Sequence, residues 1–421
     1  MSNRNGKNKA KGNKAKQSQS THKLPSASKS SKVPTEMQPK PAFSGDAQTW
    51  QFEPLDTWFF RESRPLESVG GAQLTSQFPP PVRTLVGAIR TTIGDALGVN
   101  WQDYQSQPDH PLRAQMGSPT ELAPLRIEGP YLMQNGQRLY PAPLVVMGKS
   151  EGTGMTRLAP SETPVRCDLG RVHLPKAAER VKPLDECWLT AQGLVAVLEG
   201  KVPSEDQMCK AKSMVHAEPR LGIALDGHAR RPLNGLLYQT RHLRLKEGVS
   251  VGLTVRGLDL AEKSGQLGPK GVARLGGEGR LAAWSRHTEQ KLPQVSLKQD
   301  AKRLMLTLLT PARFSQGWLP DGFEQKQKTC NGEDVTGWCG KLADRSVTLV
   351  CAVTGKPLRQ GGWDMATHQP RDLYGLVPAG SCYFFELDSA EDAQAIAKAC
   401  HGGQLGHDQA WGYGQVAVGV W

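Results

Sequence analysis

A chain of 421 residues is too long for one ordinary domain and suits two. Its 38% apolar and 22% charged residues are those of a soluble globular protein, and no run of about 18 apolar residues is present to span a membrane. Of the net charge of +12, nine units fall within residues 1–40, where ten Lys or Arg meet only Glu36; the body carries the remaining +3, which excludes a globally basic face.

Residues 1–45 are Lys, Ser, Asn, Gln and Pro with almost no large apolar side chain. Such a segment buries too little surface to offset its ordering entropy and reads as a disordered basic tail. It has no apolar stretch of the secretory kind. The eight cysteines form no C-x-x-C pair, and Cys330, Cys339 and Cys351 match no zinc spacing. Reduced thiols and the missing export signal place the chain in the cytoplasm, with no metal or cofactor expected.

From Trp50 to Arg61 the pattern predicts an edge strand broken by Pro54. Phe78-Pro-Pro-Pro-Val-Arg-Thr84 is a rigid lead-in to a helix, with Thr84 as candidate cap. Val86, Ile89, Ile93 and Leu97 recur at helical spacing, Gly98 marks the stop, and Gly87 and Gly94 share a face suited to close packing. Asn135-Gly136 is a hairpin turn between 126–133 and 138–140. Residues 149–215 show no readable period. Alternation over 240–245 and 249–255 about a Lys246–Gly248 turn predicts a long hairpin. Strands follow at 303–309, 346–353 and 382–388, then a helix at about 390–400 capped by Asp388 or Ser389 and stopped by Gly402, then a strand at 415–421. Strand, helix, glycine loop and strand suggest a ferredoxin-like α+β sandwich.

Enzyme signatures are incomplete. Gly148-Lys-Ser150-Glu-Gly152 matches a nucleophile elbow but poor helix formers follow it, and Pro143 stands where a phosphate loop needs glycine. Gly277-Glu-Gly-Arg-Leu-Ala282 matches a dinucleotide turn, yet Pro293 interrupts the helix it requires. His407-Asp408 is one polar pair without a second carboxylate cluster. What remains is glycine loops beside arginines, where bare backbone N–H groups and guanidiniums suit phosphate. One is 273–280; the other is 405–414, with Trp411 and Tyr413 available for stacking. Residues 208–245 add seven Lys or Arg against Glu218 and Asp226.

Trp58-Phe-Phe-Arg61, Arg64-Pro65 and Phe78-Pro-Pro-Pro-Val-Arg-Thr-Leu-Val-Gly-Ala-Ile-Arg90 resemble the opening of the RAMP superfamily. The resemblance continues through Gly129-Pro130, Tyr140-Pro-Ala-Pro143, Glu218-Pro-Arg-Leu-Gly-Ile223, Gly235-Leu-Leu-Tyr238, Leu275-Gly-Gly-Glu-Gly-Arg280, Leu309-Thr-Pro-Ala312, Gly317-Trp318, Gly362-Trp-Asp364 and Val377-Pro-Ala-Gly-Ser381. In this order the motifs resemble the subunits that cap the guide RNA (crRNA) 5′ handle in type III-B (Cmr) CRISPR effector complexes. Only the tail and residues 149–215 depart from the pattern.

The resemblance implies an α+β protein of two ferredoxin-like (RRM-like) domains, 46–296 with a protruding β-hairpin thumb and insertions, and 297–421. It implies a non-catalytic scaffold holding the 5′ handle, docked between a large polymerase-like subunit and the backbone RAMP subunits, with target RNA met only indirectly. Candidate RNA contacts are Arg61, Arg64, Phe78, Arg83 and Arg90 around the proline turn and helix. Others are Arg220, His228, Arg230, Arg231, Tyr238 and Arg241 on the hairpin; Arg274, Gly276, Gly277, Gly279 and Arg280 at the glycine loop; and Trp318. Arg90 also reads as an ordinary helix residue, and Tyr238 and Trp318 as core. The rival reading is a metal-independent endoribonuclease trimming guide precursor, with His216, His228 or His242 as general base.

Overall fold

Two six-stranded antiparallel sheets organise the chain, and each is built where apolar side chains alternate or run together. The structure is a computed structural model describing residues 47–62, 73–118, 120–150, 154–184, 186–226, 229, 231–258, 267–330, 333–364 and 367–421. All of these belong to one compact unit, Pro34–Trp421. The basic tail expected over 1–45 lies outside the described residues. The protein is a mixed α+β fold, rich in strands, with few helices. No helix among the described residues is long and apolar enough to cross a membrane.

The first sheet runs Lys270–Arg274, Leu281–Thr288, Gln48–Pro54, Val249–Arg256, Arg126–Gln134, Gln137–Arg138. Against it lies the helix Val82–Ala96, whose Val82, Leu85, Val86, Ile89 and Ile93 are buried at three- and four-residue spacing. They join a core with Trp50, Phe52, Leu253 and Trp284, in which the Trp50 and Trp284 rings lie 4.8 Å apart. The helix starts at Val82, before the expected cap Thr84, because Pro81, extended at ψ 134° with its ring-fixed φ of −61°, already takes the cap position. Gly94 is buried, and a Cβ there would come within 2.6 Å of Trp101; Gly87 faces open space, so only one of the two glycines serves close packing.

Two expectations fail here. The strand at Trp50 is interior, not an edge: Gln48–Pro54 pairs on both sides, and Pro54 sits at its last position, where pairing with 249–256 has already ended at Phe52. The turn at Lys246–Gly248 forms, with Val249 N–H donating to Lys246 O at 3.1 Å, but its arms do not pair with each other. Val249–Arg256 enters the first sheet and is buried on both faces, since the polar half of its alternation is small. Gly252 makes room for the Tyr131 ring, and Thr254 Oγ1 lies 2.8 Å from Tyr131 Oη. Pro232–Leu245 pairs instead with Val215–Leu225, beside the short parallel strand Gln73–Leu74.

The second sheet runs Glu324–Cys330, Glu333–Leu342, Arg345–Val353, Cys382–Glu386, Arg303–Leu308, Val416–Val420. The helix Ala390–Cys400 packs Ala393, Ile396 and Cys400 into its core and is capped by Ser389, which accepts the Asp392 N–H at 3.0 Å. If four strands of each sheet are ranked by chain order, both sheets read 4-1-3-2. Among the described residues, the helix Val82–Ala96 falls between ranks one and two of the first sheet, and Ala390–Cys400 between ranks three and four of the second.

Residues 149–215, unreadable by period, form short strand pairs and the helix Ala191–Leu198, capped by Thr190. Ser150 is followed by the strand Met155–Arg157 rather than the helix an elbow needs. The loop 405–414 closes the seam between the sheets. A Cβ on Gly412 would lie 2.7 Å from Gly129 O, and Thr310 Oγ1 donates to Gly412 O at 2.7 Å. Across the same seam, Arg138 donates to Gln415 at 3.0 Å.

Candidate nucleic-acid interface

Trp58 pairs with the strand Pro232–Leu245, its N–H donating to Leu243 O at 2.9 Å and Leu243 N–H returning to Trp58 O at 2.7 Å, while residues 60–62 pair with 75–77. This places Phe59 under the glycine loop. Gly277 N–H donates to Phe59 O at 2.8 Å, and a Cβ on Gly276 would lie 2.9 Å from that same oxygen. Gly276 has φ +94° and Gly279 φ +64°, conformations glycine tolerates best, and Glu278 also has positive φ. Leu275 N–H donates to Arg280 O at 2.9 Å and closes the loop. The Phe59 ring stacks on His242, centroids 5.3 Å apart at 19°.

Beside this loop lies an ion cluster. Asp56 meets Arg220 at 3.1 Å, Arg244 at 2.8 Å and Arg280 at 3.3 Å. Glu218 meets Arg220 and Arg244, each at 2.8 Å. Hydrogen bonds from Arg244, then from Arg220, hold both carboxyls below their usual range. Three guanidiniums against two carboxylates leave one positive charge in excess, on a surface where Asp56 and Arg244 are about half exposed. Such exposed pairs are weak and exchangeable. The buried Nε of Arg280 makes no hydrogen bond.

His242 is 1% exposed, with Nδ1 3.2 Å from Thr57 Oγ1. Burial first, then Arg220 and Arg280, push its pKa down, so it adds no positive charge to the cluster at neutral pH. Among the described residues, no group of three or more His, Cys, Asp or Glu could hold a metal ion.

The other sequence candidates divide by position. Arg241 and Arg61 are exposed and flank Ser76, whose Oγ donates to Arg241 O at 2.7 Å and whose backbone bridges Arg61. Arg241 points away from Arg220 and Arg244, because their side chains alternate across the hairpin. Arg274 is exposed where its strand enters the glycine loop, and Arg231 is exposed near the hairpin end. Tyr238 is half-buried with its ring over Gly222, where a Cβ would come within 2.4 Å. Arg64, His228 and Arg230 lie outside the described residues. Four candidates lie in packing sites away from this cluster. Phe78 packs edge-on to Trp188 at 6.0 Å. Arg83 lies over Trp411 at 4.2 Å. Arg90 donates to Tyr104 Oη and, at 2.6 Å, to Ser118 O. Trp318 packs on Trp338 at 5.2 Å, and its carbonyl accepts from Tyr383 Oη at 2.7 Å.

The family model of Cas_Cmr3, a CRISPR-associated protein, matches residues 50–421. The chain belongs to the Cas_Cmr3 family. It is thus a RAMP-type protein of the type III CRISPR kind, as its ordered motifs suggest. The chain is similar to a subunit of the type III-B Cmr-beta complex bound to cognate target RNA, at 16% identity and TM-score 0.44, covering 80% of this chain and 86% of that one. A Cmr-beta structure with target RNA and AMPPnP gives 16% and 0.43, covering 83% and 88%. A chain of the Csm3-Csm4 subcomplex of a type III-A interference complex gives 10% and 0.33, covering 82% and 93%. No curated protein matches.

Sequence reasoning named the glycine loop with Arg220 and Arg280 as candidates but passed over Asp56, Phe59 and Ser76. Phe59 lies inside a quoted motif; Asp56 carries no local signal, since its partners lie far along the chain.

Proposed function

We propose that this Cas_Cmr3-family subunit is a non-catalytic scaffold. It grips the 5′ handle of a guide RNA and bridges the large polymerase-like subunit to the backbone subunits, meeting target RNA indirectly. The observation that carries this reading is the seating of the glycine loop 275–280 on Phe59 beside Arg220, Arg244 and Arg280. Bare loop backbone and clustered guanidiniums recognise the phosphates of a strand held in a fixed path. Arg274 extends the cationic rim from this centre, and Arg61 and Arg241 add exposed charge beside Ser76 on the other face of the hairpin strand. The 4-1-3-2 order of both sheets supports two ferredoxin-like lobes, 46–296 and 297–421. The paired strands Val215–Leu225 and Pro232–Leu245 take the part of the thumb.

The ribonuclease reading has less support. His242 is buried under Phe59 and bonded to Thr57, out of reach of a 2′-hydroxyl. The test is reconstitution of the effector complex on guide RNA, with wild-type chain, without it, and with Arg241→Ala/Arg274→Ala. Handle protection from nuclease is expected only with the wild type. Equal protection without the chain would refute the scaffold.

A further inference from the structure

A separate cavity of about 330 Å³ opens at the seam between the sheets, lined from one side by Arg83 and from the other by residues of 360–376, with Arg313, Asp408 and Tyr413. Its lining side chains are tied to one another. Arg313 lies 3.7 Å over the Tyr374 ring and pairs with Asp408 at 3.0 Å. Arg371 pairs with Asp364 at 2.9 Å, and Arg83 lies flat on Trp411.

Two observations say what the cavity suits. The lining carries Arg83, Arg313 and Arg371 against Asp364, Asp372 and Asp408, so its charges balance and it is no anion trap. It presents donors and acceptors side by side, next to guanidinium planes. The Tyr413 side chain, 5% exposed, sets its hydroxyl at this cavity beside Gln360 and Arg83. A polar edge entering the cavity would meet this hydroxyl and the Gln360 amide together. Burial pushes its pKa up to about 12, which keeps it a donor at neutral pH.

A ligand that fits is flat, uncharged, with donors and acceptors along one edge and a face that stacks on guanidinium. We propose that this cavity takes one unstacked nucleobase, its edge bonded to Tyr413 and Gln360 and its face on Arg313. The volume lies at the lower end for ligand sites and suits one nucleoside rather than a stacked pair. The base comes either from a bound RNA strand or from a free nucleotide. Only the first source rests on the RNA-binding function proposed above.

The test uses the full chain and two probes: the four nucleoside monophosphates, followed by saturation-transfer NMR, and single-stranded RNA carrying one 2-aminopurine at successive positions, followed by fluorescence. Tyr413→Phe removes only the hydroxyl, and Gln360→Ala, at the half-buried rim, repeats the test should the first variant misfold. Each is expected to weaken one base-containing probe by about two- to tenfold, the worth of one hydrogen bond, with an unchanged melting temperature. Dependence seen with RNA assigns the base to a strand; dependence seen only with a monophosphate assigns it to a free nucleotide and leaves RNA binding unsupported. RNA binding that is lost in Arg274→Ala but indifferent to both cavity variants, with no monophosphate bound, would overturn the cavity proposal and leave the RNA-binding function standing.

Discussion

Asp56 holds three arginines that an RNA backbone would otherwise engage, so removing its charge is expected to tighten binding. Asp56→Asn keeps the shape of the side chain and deletes the acceptor charge facing Arg220, Arg244 and Arg280. The cluster then carries two positive charges in excess instead of one, and three when Glu218→Gln is added. For a single strand, each additional phosphate neutralised steepens the fall of log K with log salt by about 0.7. Over a fourfold rise in salt, that is about 2.6-fold more affinity lost per phosphate, and roughly sevenfold for the double variant if each freed charge engages one. Fluorescence anisotropy of labelled single-stranded RNA, titrated at several KCl concentrations, reads both the low-salt affinity and the slope. Unchanged slope and affinity in Asp56→Asn would refute the reasoning and make these arginines structural ties.

Arg90 anchors Tyr104 and Ser118, so Arg90→Ala is expected to cost about 1.5–3 kcal/mol of stability while RNA affinity stays at the wild-type value; a variant that melts normally but binds RNA poorly would return Arg90 to the interface. His242 is held below its ordinary pKa when folded, so unfolding takes up a proton: stability is complete above about pH 6.5 and falls as pH drops below that value. Urea unfolding at successive pH values should show this fall in the wild type and a flatter curve in His242→Asn; parallel curves would contradict it.

Where local pattern dictates local structure, the sequence was a good guide. The helix after the prolines, the Asn135-Gly136 turn and the closing strand–helix–strand all follow from short-range spacing. What escaped depends on partners distant in the chain. Gln48–Pro54 looks like an edge strand because Pro54 does, yet its place is set by residues 249–256 and 281–288. The strand Glu324–Cys330 was invisible because Glu-Gln-Lys-Gln-Lys offers no apolar alternation, and it forms as an outer strand against Glu333–Leu342. Around the glycine loop, composition revealed the arginines and Glu218 but not Asp56, which ties them together. Phe78 packs on Trp188, and Trp318, which the sequence left open between stacking and core, packs on Trp338.

The interior position of Gln48–Pro54 also bears on how the chain is made. Its neighbours, Val249–Arg256 and Leu281–Thr288, leave the ribosome about two hundred residues later, an interval on the order of 10–40 s at ordinary elongation rates. Throughout that wait Trp50 and Phe52 have no sheet to enter. The ten cations directly upstream travel with this sticky segment, and their mutual repulsion keeps neighbouring nascent chains apart until the sheet closes.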